Sequence, residues 1–375
     1  MIYTIKCDGY TLHNPRIMDD TTALNNIKLN LEINAAGSLS FDIEQNHYYY
    51  DHIFIFKSVI DVYRDSECIW RGRVIADPET FSRKKTISCE GALAFLNDVQ
   101  YPASSVRTRG SINYHLSHLL DIYNANIASN KKIYIGNVVT GESQQSNISF
   151  DPYDYMSCMD RLSKILDAIG GYVSLRITNG VTYLDYNYDI PERQEKTIRF
   201  GINLIDLKKE AKIENFANAI IPRGCLVNEN DDITRLDISS LPDGQIADTP
   251  YTKSGLYILD TDSISIFGRI ETSKIYDDVK LAYVLRDMGC NELDDISAMP
   301  IEIETQFIDM NYIDPTKEPI NLLDSAIVLS PNHTYIDGET IPRLAMELDL
   351  NNPSNNKYTV SKSRSLSMIE YILGL

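Results

Sequence analysis

The chain has 375 residues, a length that exceeds one ordinary hydrophobic core and predicts two to four domains. Its 43% hydrophobic and 23% charged residues are typical of a globular protein and exclude a disordered chain. The formal net charge of −18 argues against sequence-specific nucleic-acid binding, because an acidic surface repels phosphate and no long basic run compensates.

Targeting segments and cysteine motifs are both missing from the sequence. Met1–Lys6 lacks the basic start and apolar core of a signal peptide, and no uncharged apolar stretch approaches the roughly 18 residues of a membrane span. The six cysteines lie at least 21 residues apart, so no Cys-x-x-Cys pair or metal knuckle occurs. We therefore expect reduced, mostly buried cysteines and no membrane segment, in a protein made and folded in a cytoplasm.

Residues 1 to about 100 predict a small antiparallel β-barrel closed by a short helix around Leu93 and Leu96. Apolar and polar residues alternate around the turn Asn34–Gly37, which is typical of a hairpin with one buried face. The strands are expected at Ile27–Ile33, Leu39–Ile43, Ile53–Phe56, Val59–Tyr63 and Cys68–Val74.

Residues 101–198 predict an α+β unit. Ser111 can cap a first helix that carries one continuous apolar stripe, and a second helix runs from about Asp154 to Gly170-Gly171. Asn179-Gly180 then separates two alternating runs, a strong hairpin signal because both turn positions need a positive φ.

The rest of the chain predicts mostly strands. A helix is expected near Asp277–Met288, and a helix-like run covers Leu366–Leu373. The strands are expected at Leu204–Leu207, Asn218–Gly224, Ile264–Ile270, Ile301–Thr305 and Arg343–Leu350. The fold class is therefore β-rich α+β.

Tyrosine is abundant, with 24 copies that include the run Tyr48–Tyr50. Tyrosine offers a large contact area at low entropic cost and is enriched at interfaces, which favours subunit contacts. Tyrosines that cap strands within the cores are the alternative explanation.

A metal site is conceivable at His115 and His118 with Asp121, since residues three apart share a helical face. Boundary histidines beside Leu116 and Leu119 are the favoured interpretation. Several acidic groups could recruit calcium, but none has the loop glycine and terminal glutamate of a calcium hand, and solvated turns are favoured. They are Asp260 with Asp262 and Ser265, and the pairs Asp231-Asp232, Asp277-Asp278 and Asp294-Asp295.

No catalytic motif occurs: the sequence has no Gly-x-Ser-x-Gly, His-Glu-x-x-His, Walker loop or dinucleotide fingerprint. Cys158 lies between methionines on a predicted helix and Cys89 in a strand, so both are interpreted as structural. We therefore assign no catalytic, cofactor-binding or metal-binding residue, no cofactor and no enzymatic activity.

Five motifs in order resemble the phage tail hub family, which includes the N-terminal hub region of siphophage tail-associated lysins, prophage endopeptidase tail proteins and the baseplate hub of contractile tails. The first is Trp70-Arg71-Gly72-Arg73-Val74 followed by Thr86 to Asp98. The later ones are the Asp151-Pro152 helix with its Asn-Gly hairpin, then Ile220–Gly224, Phe267–Ile270 followed by Tyr276–Val279, and Leu348–Pro353 followed by Asn356–Val360.

The resemblance implies two similar β-barrels and an inserted α+β domain. Residues 1–100 with 199–224 and 309–360 would form a discontinuous first barrel, and 101–198 the insertion. Residues 225–308 would form a second barrel-like domain, and 361–375 a C-terminal tail or helix.

The resemblance also implies a homotrimer at the tip of a phage tail, a virion component that closes the tail tube. Its partners would be the distal tail protein ring, the tape measure protein and any receptor-binding or lytic components, for a siphophage or prophage of a Gram-positive host. The alternatives are a cell-wall peptidase acting in cis and a receptor- or carbohydrate-binding β module. Lytic activity in tail-associated lysins belongs to C-terminal domains beyond the hub, so the chain is either a naturally short hub or one from which such a domain has been removed.

Overall fold

The computed structural model describes residues 1–17, 21–141, 148–189, 196–211, 216–229, 232–277, 279–322, 324–331, 339–342 and 345–367. The chain divides into two compact units. The first unit comprises Met1–Lys208 and Glu304–Val360, and the second comprises Lys209–Ile303 and Ser361–Leu375. No helix in the described ranges is both long and apolar enough to cross a membrane.

The N-terminal part of the first unit is an antiparallel sheet. Its strands are β1 (Tyr3–Cys7), β2 (Tyr10–His13), β3 (Asn25–Glu32), β4 (Ser38–Glu44), β5 (Val59–Arg64), β6 (Glu67–Ala76), β7 (Lys84–Gly91) and the short β8 (Gln100–Tyr101), which pairs outside this sheet. A 3₁₀ helix, Ala92–Asp98, follows β7. Both predicted hairpins are confirmed, because β3 pairs with β4 and β5 with β6.

The strand predicted at Ile53–Phe56 is wrong. The segment forms a turn in which only Ile53 is buried, while Phe54, Ile55 and Phe56 are exposed. Phe56 adopts a φ of +58°, outside the range of regular β-strand backbone, and its N–H donates to the carbonyl of Val74 at 2.8 Å. Four apolar residues in succession have no periodic pattern by which the sequence alone could distinguish this turn from a strand.

The inserted segment contains both predicted helices and the predicted hairpin. Its elements are β9 (Thr108–Gly110), α1 (Ile112–Asn126), a 3₁₀ turn (Ser129–Lys131), β10 (Ile133–Val139), β11 (Ile148–Phe150), β12 (Met156–Ser157), α2 (Cys158–Ile169), β13 (Tyr172–Thr178) and β14 (Val181–Asn187). The hydroxyl of Ser111 accepts from the N–H of Tyr114, which confirms the predicted cap.

Helix α2 begins four residues later than predicted. The Ser157 hydroxyl accepts from the N–H of Asp160 while the Asp160 carboxylate accepts from the N–H of Ser157, a capping box that fixes the start. Gly170, at φ +76°, ends the helix as predicted. Asn179 and Gly180 have φ values of +52° and +78°, as the hairpin turn requires.

The second unit is built around a five-stranded sheet in the order β20-β21-β22-β17-β23. The elements after the insertion are β15 (Lys196–Arg199), β16 (Leu204–Ala211), β17 (Ala219–Arg223), β18 (Leu226–Glu229), β19 (Asp232–Arg235), β20 (Gly244–Gln245), β21 (Thr252–Ser254), β22 (Tyr257–Leu259), α3 (Thr261–Phe267), β23 (Glu271–Ile275), α4 (Ala282–Ser297) and β24 (Ala298–Phe307). Strand β17, grouped by resemblance with the first barrel, instead pairs with β22 and β23 of this sheet.

The strand predicted at Ile264–Ile270 is also wrong, because helix α3 occupies Thr261–Phe267. The Asp260 carboxylate caps the helix by accepting from the N–H of Ser263 at 2.9 Å, and Gly268, at φ +75°, ends it. The alternation of apolar and polar residues in this run is too short to distinguish a strand from two helical turns. The cap at Asp260 favours the helix. The predicted helix near Asp277–Met288 is α4, which starts and ends later.

The C-terminal part contributes a 3₁₀ turn (Met310–Tyr312), β25 (Ser325–Leu329), β26 (Glu339–Pro342), β27 (Ala345–Asp349), a 3₁₀ turn (Pro353–Asn355) and β28 (Lys357–Ser367). Strand β27 pairs with β3, so the first sheet joins residues more than 300 positions apart. Residues 361–367, which the resemblance assigned to a C-terminal tail or helix, belong to β28. Residues 368–375, which include most of the predicted helix-like run Leu366–Leu373, lie outside the described residues.

Together the elements confirm the β-rich α+β class. The grouping into two barrels and an insertion, with the boundaries given above, stays a prediction.

Candidate functional site

The glycines of the motif around Trp70 make room for its indole ring. Gly72 and Gly91 are cross-strand partners in β6 and β7. A Cβ at Gly72 would lie 2.2 Å from the Trp70 ring, and one at Gly91 would lie 1.7 Å from the carbonyl oxygen of Ala36. The two glycines therefore leave the space in which the single tryptophan lies, buried to all but 4% of its surface.

Arg73 connects the first part of the motif, Trp70–Val74, to the second part, Thr86 to Asp98. Its Nε donates to the Glu90 carboxylate at 2.7 Å, and both terminal nitrogens donate to the Asp98 carboxylate, one of them at 2.9 Å. Its guanidinium also lies 5.0 Å from the ring centre of Phe56 and 5.1 Å from that of Phe95. The acidic residues Glu90 and Asp98 of the signature thus hold one buried arginine in place.

Arg71 ties the inserted hairpin to the sheet. Its guanidinium forms a two-pronged ion pair with Asp61 at 2.7 and 3.0 Å. Its Nη1 also donates to the carbonyl of Gly180 at 2.7 Å and to the hydroxyl of Thr182 at 3.2 Å. The turn between β13 and β14 is therefore held against β6.

The motif near residue 350 is a polar turn that attaches the C-terminal hairpin to β3. The N–H of Ile27 donates to the Asn351 side chain at 2.8 Å, and that side chain donates to the carbonyl of Leu24. The Asp349 carboxylate accepts from the N–H groups of Asn351 and Asn352, which fixes the turn.

A cavity of about 370 Å³ lies in the first unit beside Trp70. Its lining comes from β6, from β13 and from the segment around Asn321, with an apolar floor. Four of the charged groups that line it form two ion pairs, Arg64 with Glu67 at 2.9 Å and Arg176 with Asp185 at 2.8 Å. The cavity therefore offers apolar contact and main-chain hydrogen bonding beside these ion pairs.

The tyrosine run gives a second exposed feature at the edge of the first sheet. Tyr49 packs between Tyr10 and Tyr48, with ring centres 5.7 and 5.6 Å away, and lies 5.4 Å from His52. Tyr10 is 64% and Tyr48 49% exposed, whereas Tyr50 is buried. Tyr50 is therefore a core residue, whereas subunit contacts through the exposed tyrosines stay a prediction.

The structure does not bring together the residues considered for a metal site. His115 is buried, with its Nε2 3.2 Å from the carbonyl oxygen of Ile148, while His118 is exposed and stacks on Tyr114. Within the described ranges, no group of three or more His, Cys, Asp or Glu side chains is placed to hold a metal ion.

The acidic residues considered for calcium binding make separate contacts in different parts of the fold. Asp260 caps α3, and Asp277 pairs with Arg235 at 2.7 Å. Asp294 accepts from the hydroxyl of Tyr251. Asp231 and Asp278 lie outside the described residues.

The cysteines are poor candidates for nucleophiles. All six are free thiols, and four are buried. Burial raises the pKa of Cys7 and Cys68 to about 12 and that of Cys158 and Cys290 to about 11. At neutral pH the thiols of Cys7, Cys68, Cys158 and Cys290 are therefore protonated and unreactive.

Arg161 is a buried charge that sequence reasoning missed. Its side chain is 1% exposed, and its guanidinium lies 4.1 Å from the ring centre of Phe150, 4.5 Å from that of Tyr153 and 5.3 Å from that of Tyr101. Its Nε and Nη2 have no hydrogen-bond partner in the described part of the chain. The sequence did contain a sign of this buried charge, because Arg161 lies among the apolar residues of the buried face of α2.

Arg161→Met is expected to leave stability within about 1 kcal/mol of wild type or to raise it, because burying an unpaired charge costs several kcal/mol. Urea unfolding measures the change. Leu162→Ala, at the fully buried neighbouring position, is the control and should cost about 3 kcal/mol. A loss above about 2 kcal/mol in Arg161→Met would mean that the guanidinium has a partner such as ordered water.

Two buried histidines lie beside the edge of the first sheet. His13 Nδ1 accepts from the N–H of Leu24 at 3.3 Å, and His47 Nδ1 accepts from the N–H of Tyr49 at 3.1 Å. Burial, with a smaller effect of His47, lowers the pKa of His13 to about 4. Each Nδ1 therefore acts as an acceptor, and His47 Nε2 donates to the carbonyl of Leu12 at 2.9 Å.

Acid is expected to destabilise this edge through His13. Because its pKa is lower in the folded state than in the unfolded chain, its contribution is complete above pH 6.5 and is lost progressively as the pH falls towards 4. The loss amounts to about 3 kcal/mol. Unfolding free energies of wild type and His13→Asn between pH 4 and 7.5 test this, since the amide oxygen can accept the same bond without titrating. Parallel pH curves for the two proteins would contradict the assignment.

No protein-family model and no curated protein matches the chain in sequence. Solved structures do match it in fold. A prophage tail protein from Listeria monocytogenes aligns with a TM-score of 0.54 and 11% identity, covering 100% of this chain and 98% of that one.

Two further tail proteins match equally far. The 43 kDa tail protein of prophage MuSo2 from Shewanella oneidensis has a TM-score of 0.56 at 13% identity and covers 96% and 97% of the two chains. A tail protein from Neisseria meningitidis has a TM-score of 0.58 at 12% identity, covering 97% and 98%. The chain therefore has the fold of the prophage tail proteins, as the resemblance predicted.

Proposed function

We propose that the protein is a structural component of a phage tail. The observation that carries this proposal is that the shared fold extends over nearly the full length of both this chain and each tail protein. The paired charges of the motif residues and the protonated thiols support a role in assembly rather than catalysis.

More specifically, the chain would be the tail tip or baseplate hub of a siphophage or prophage, a homotrimer that closes the tail tube in the virion. It would contact the distal tail protein ring and the tape measure protein and anchor receptor-binding or lytic parts. Three copies would carry a formal charge of −54, three times the −18 of one chain. An acidic tube wall would let DNA pass without binding it, because like charges repel phosphate.

The experiment is assembly of tails with and without this chain. We expect tagged copies at the tip of wild-type tails, and open or shortened tails when the chain is omitted, both visible by electron microscopy. The purified chain should have a solution mass near three times 42.6 kDa if it forms the trimer alone. Mature tails that contain no copy of the chain would refute the proposal.

One observation favours a second function, a receptor- or carbohydrate-binding module. The exposed ring cluster of Tyr10, Tyr48 and Tyr49 is the type of surface that stacks on sugars, although it lies on a sheet edge. Binding of host cell-wall carbohydrate by the isolated chain, lost in Tyr10→Ala, would support it. Peptidoglycan cleavage by the purified chain would instead identify a peptidase.

A further inference from the structure

Strand β13 has an open edge that faces the cavity beside Trp70. It is the last strand of the three-stranded sheet β10-β14-β13. All six residues of the run Val173–Thr178 line the cavity. Because side chains of a strand alternate between two faces, six consecutive lining residues mean that the cavity meets the main chain of the edge.

The hairpin register fixes which main-chain groups point into the cavity. Thr178 and Val181 flank the two-residue turn, so they and every second pair behind them exchange hydrogen bonds between β13 and β14. The N–H and C=O groups of Val173, Leu175 and Ile177 therefore point away from β14.

Of the outward main-chain groups at these three positions, only the N–H of Val173 has a partner within the described residues. The side-chain oxygen of Asn34 accepts from the N–H of Val173 at 2.8 Å, and its nitrogen donates to the carbonyl of Gly171 at 3.2 Å. In the described residues, no such partner reaches the main-chain groups of Leu175 or Ile177. Leu175 and Ile177 thus offer two donors and two acceptors, at the two-residue spacing that another extended backbone matches.

The edge also lacks the features that protect exposed edges from pairing. Isolated edge strands carry Lys, Pro, bulges or inward charges. Strand β13 contains neither Lys nor Pro, and Arg176 is turned to the Asp185 carboxylate, with contacts of 2.8 and 3.0 Å. Strand β13 therefore carries no lysine or proline that would block pairing with a further strand.

Apolar side chains line the part of the cavity next to Trp70. Leu31, Trp70, Leu175 and Leu348 contribute to the lining. Its volume of about 370 Å³ lies within the usual range of ligand pockets. An apolar side chain of an added strand would be buried there.

We propose that β13 and this cavity form a docking site for an extended apolar segment of another tail protein. The segment adds a strand to β13 through Leu175 and Ile177 and places an apolar side chain against Trp70. This inference rests on the proposed tail function. It assigns to the inserted hairpin a role in joining subunits of different kinds.

Hydrogen exchange of the wild-type chain is the first test. Peptides that cover residues 172–178 should exchange at least tenfold more slowly in assembled tails than in the purified chain. Equal exchange in tails that contain the chain would overturn the docking site alone, whereas tails without the chain would overturn the proposed function. Protection that arises in the purified chain on raising its concentration would assign the edge to a second copy and overturn the stated partner.

A variant pair at one position gives the second test. Ile177→Pro removes an N–H that makes no bond within the hairpin, so the isolated chain should keep its circular dichroism and Trp70 fluorescence. Its incorporation into tails should fall at least tenfold, while Ile177→Val, which keeps the N–H, should incorporate normally. Normal incorporation of a folded Ile177→Pro chain would overturn the proposal.

Discussion

Replacing Gly91 by alanine is expected to destabilise the first unit by about 3 kcal/mol or more, because overpacking at a backbone contact leaves no side chain free to move. The new Cβ would lie 1.7 Å from the carbonyl oxygen of Ala36 and 2.9 Å from Trp70 Nε1. Strand β7 or the turn before β4 must shift. Urea unfolding followed by Trp70 fluorescence measures the loss, since this tryptophan is the only one in the chain.

Gly110→Ala is the matched control for Gly91→Ala. A Cβ at Gly110 would meet the ring of Tyr114 at 2.2 Å, but that ring is half exposed and free to rotate away. We expect a loss below about 1 kcal/mol for Gly110→Ala. Equal effects of the two substitutions would show that the space beside Trp70 is not what the glycine provides.

The local elements of this fold could be predicted where a cap or turn residue marked them. Ser111 and Gly170 bound helices, and Asn179-Gly180 forms the hairpin turn, because each residue type satisfies a specific backbone requirement. Sequence reasoning failed at Ile264–Ile270 and Ile53–Phe56, where an apolar run had no periodicity long enough to choose between structures.

The site was predictable only in part. The Trp70 motif was recognised, but its pairing of Arg73 with Asp98 depends on how β6, β7 and the 3₁₀ helix meet. The cavity depends on contacts between β6 and the hairpin inserted more than 100 residues later, which no local pattern encodes. Long-range packing therefore decides where the exposed edge of β13 lies.

Arg73→Met is expected to cost about 3 kcal/mol, because it leaves two partly buried carboxylates facing each other without their cation. The side chains of Glu90 and Asp98 are each 29% exposed, whereas that of Arg73 is 7% exposed, so water only partly replaces the lost bonds. Methionine keeps much of the apolar contact with Phe56 and Phe95, which separates the charge effect from packing. Urea unfolding measures the loss.

The control for Arg73→Met is Arg107→Met, which removes an exposed ion pair with Asp151. Its loss should stay below about 0.5 kcal/mol, as for other surface pairs. If the two acidic residues of the signature serve only to hold Arg73, the further change Asp98→Asn should restore part of the stability of Arg73→Met while destabilising the wild-type chain. An additive double variant would instead mean that Asp98 acts independently of Arg73, and the signature would need another explanation.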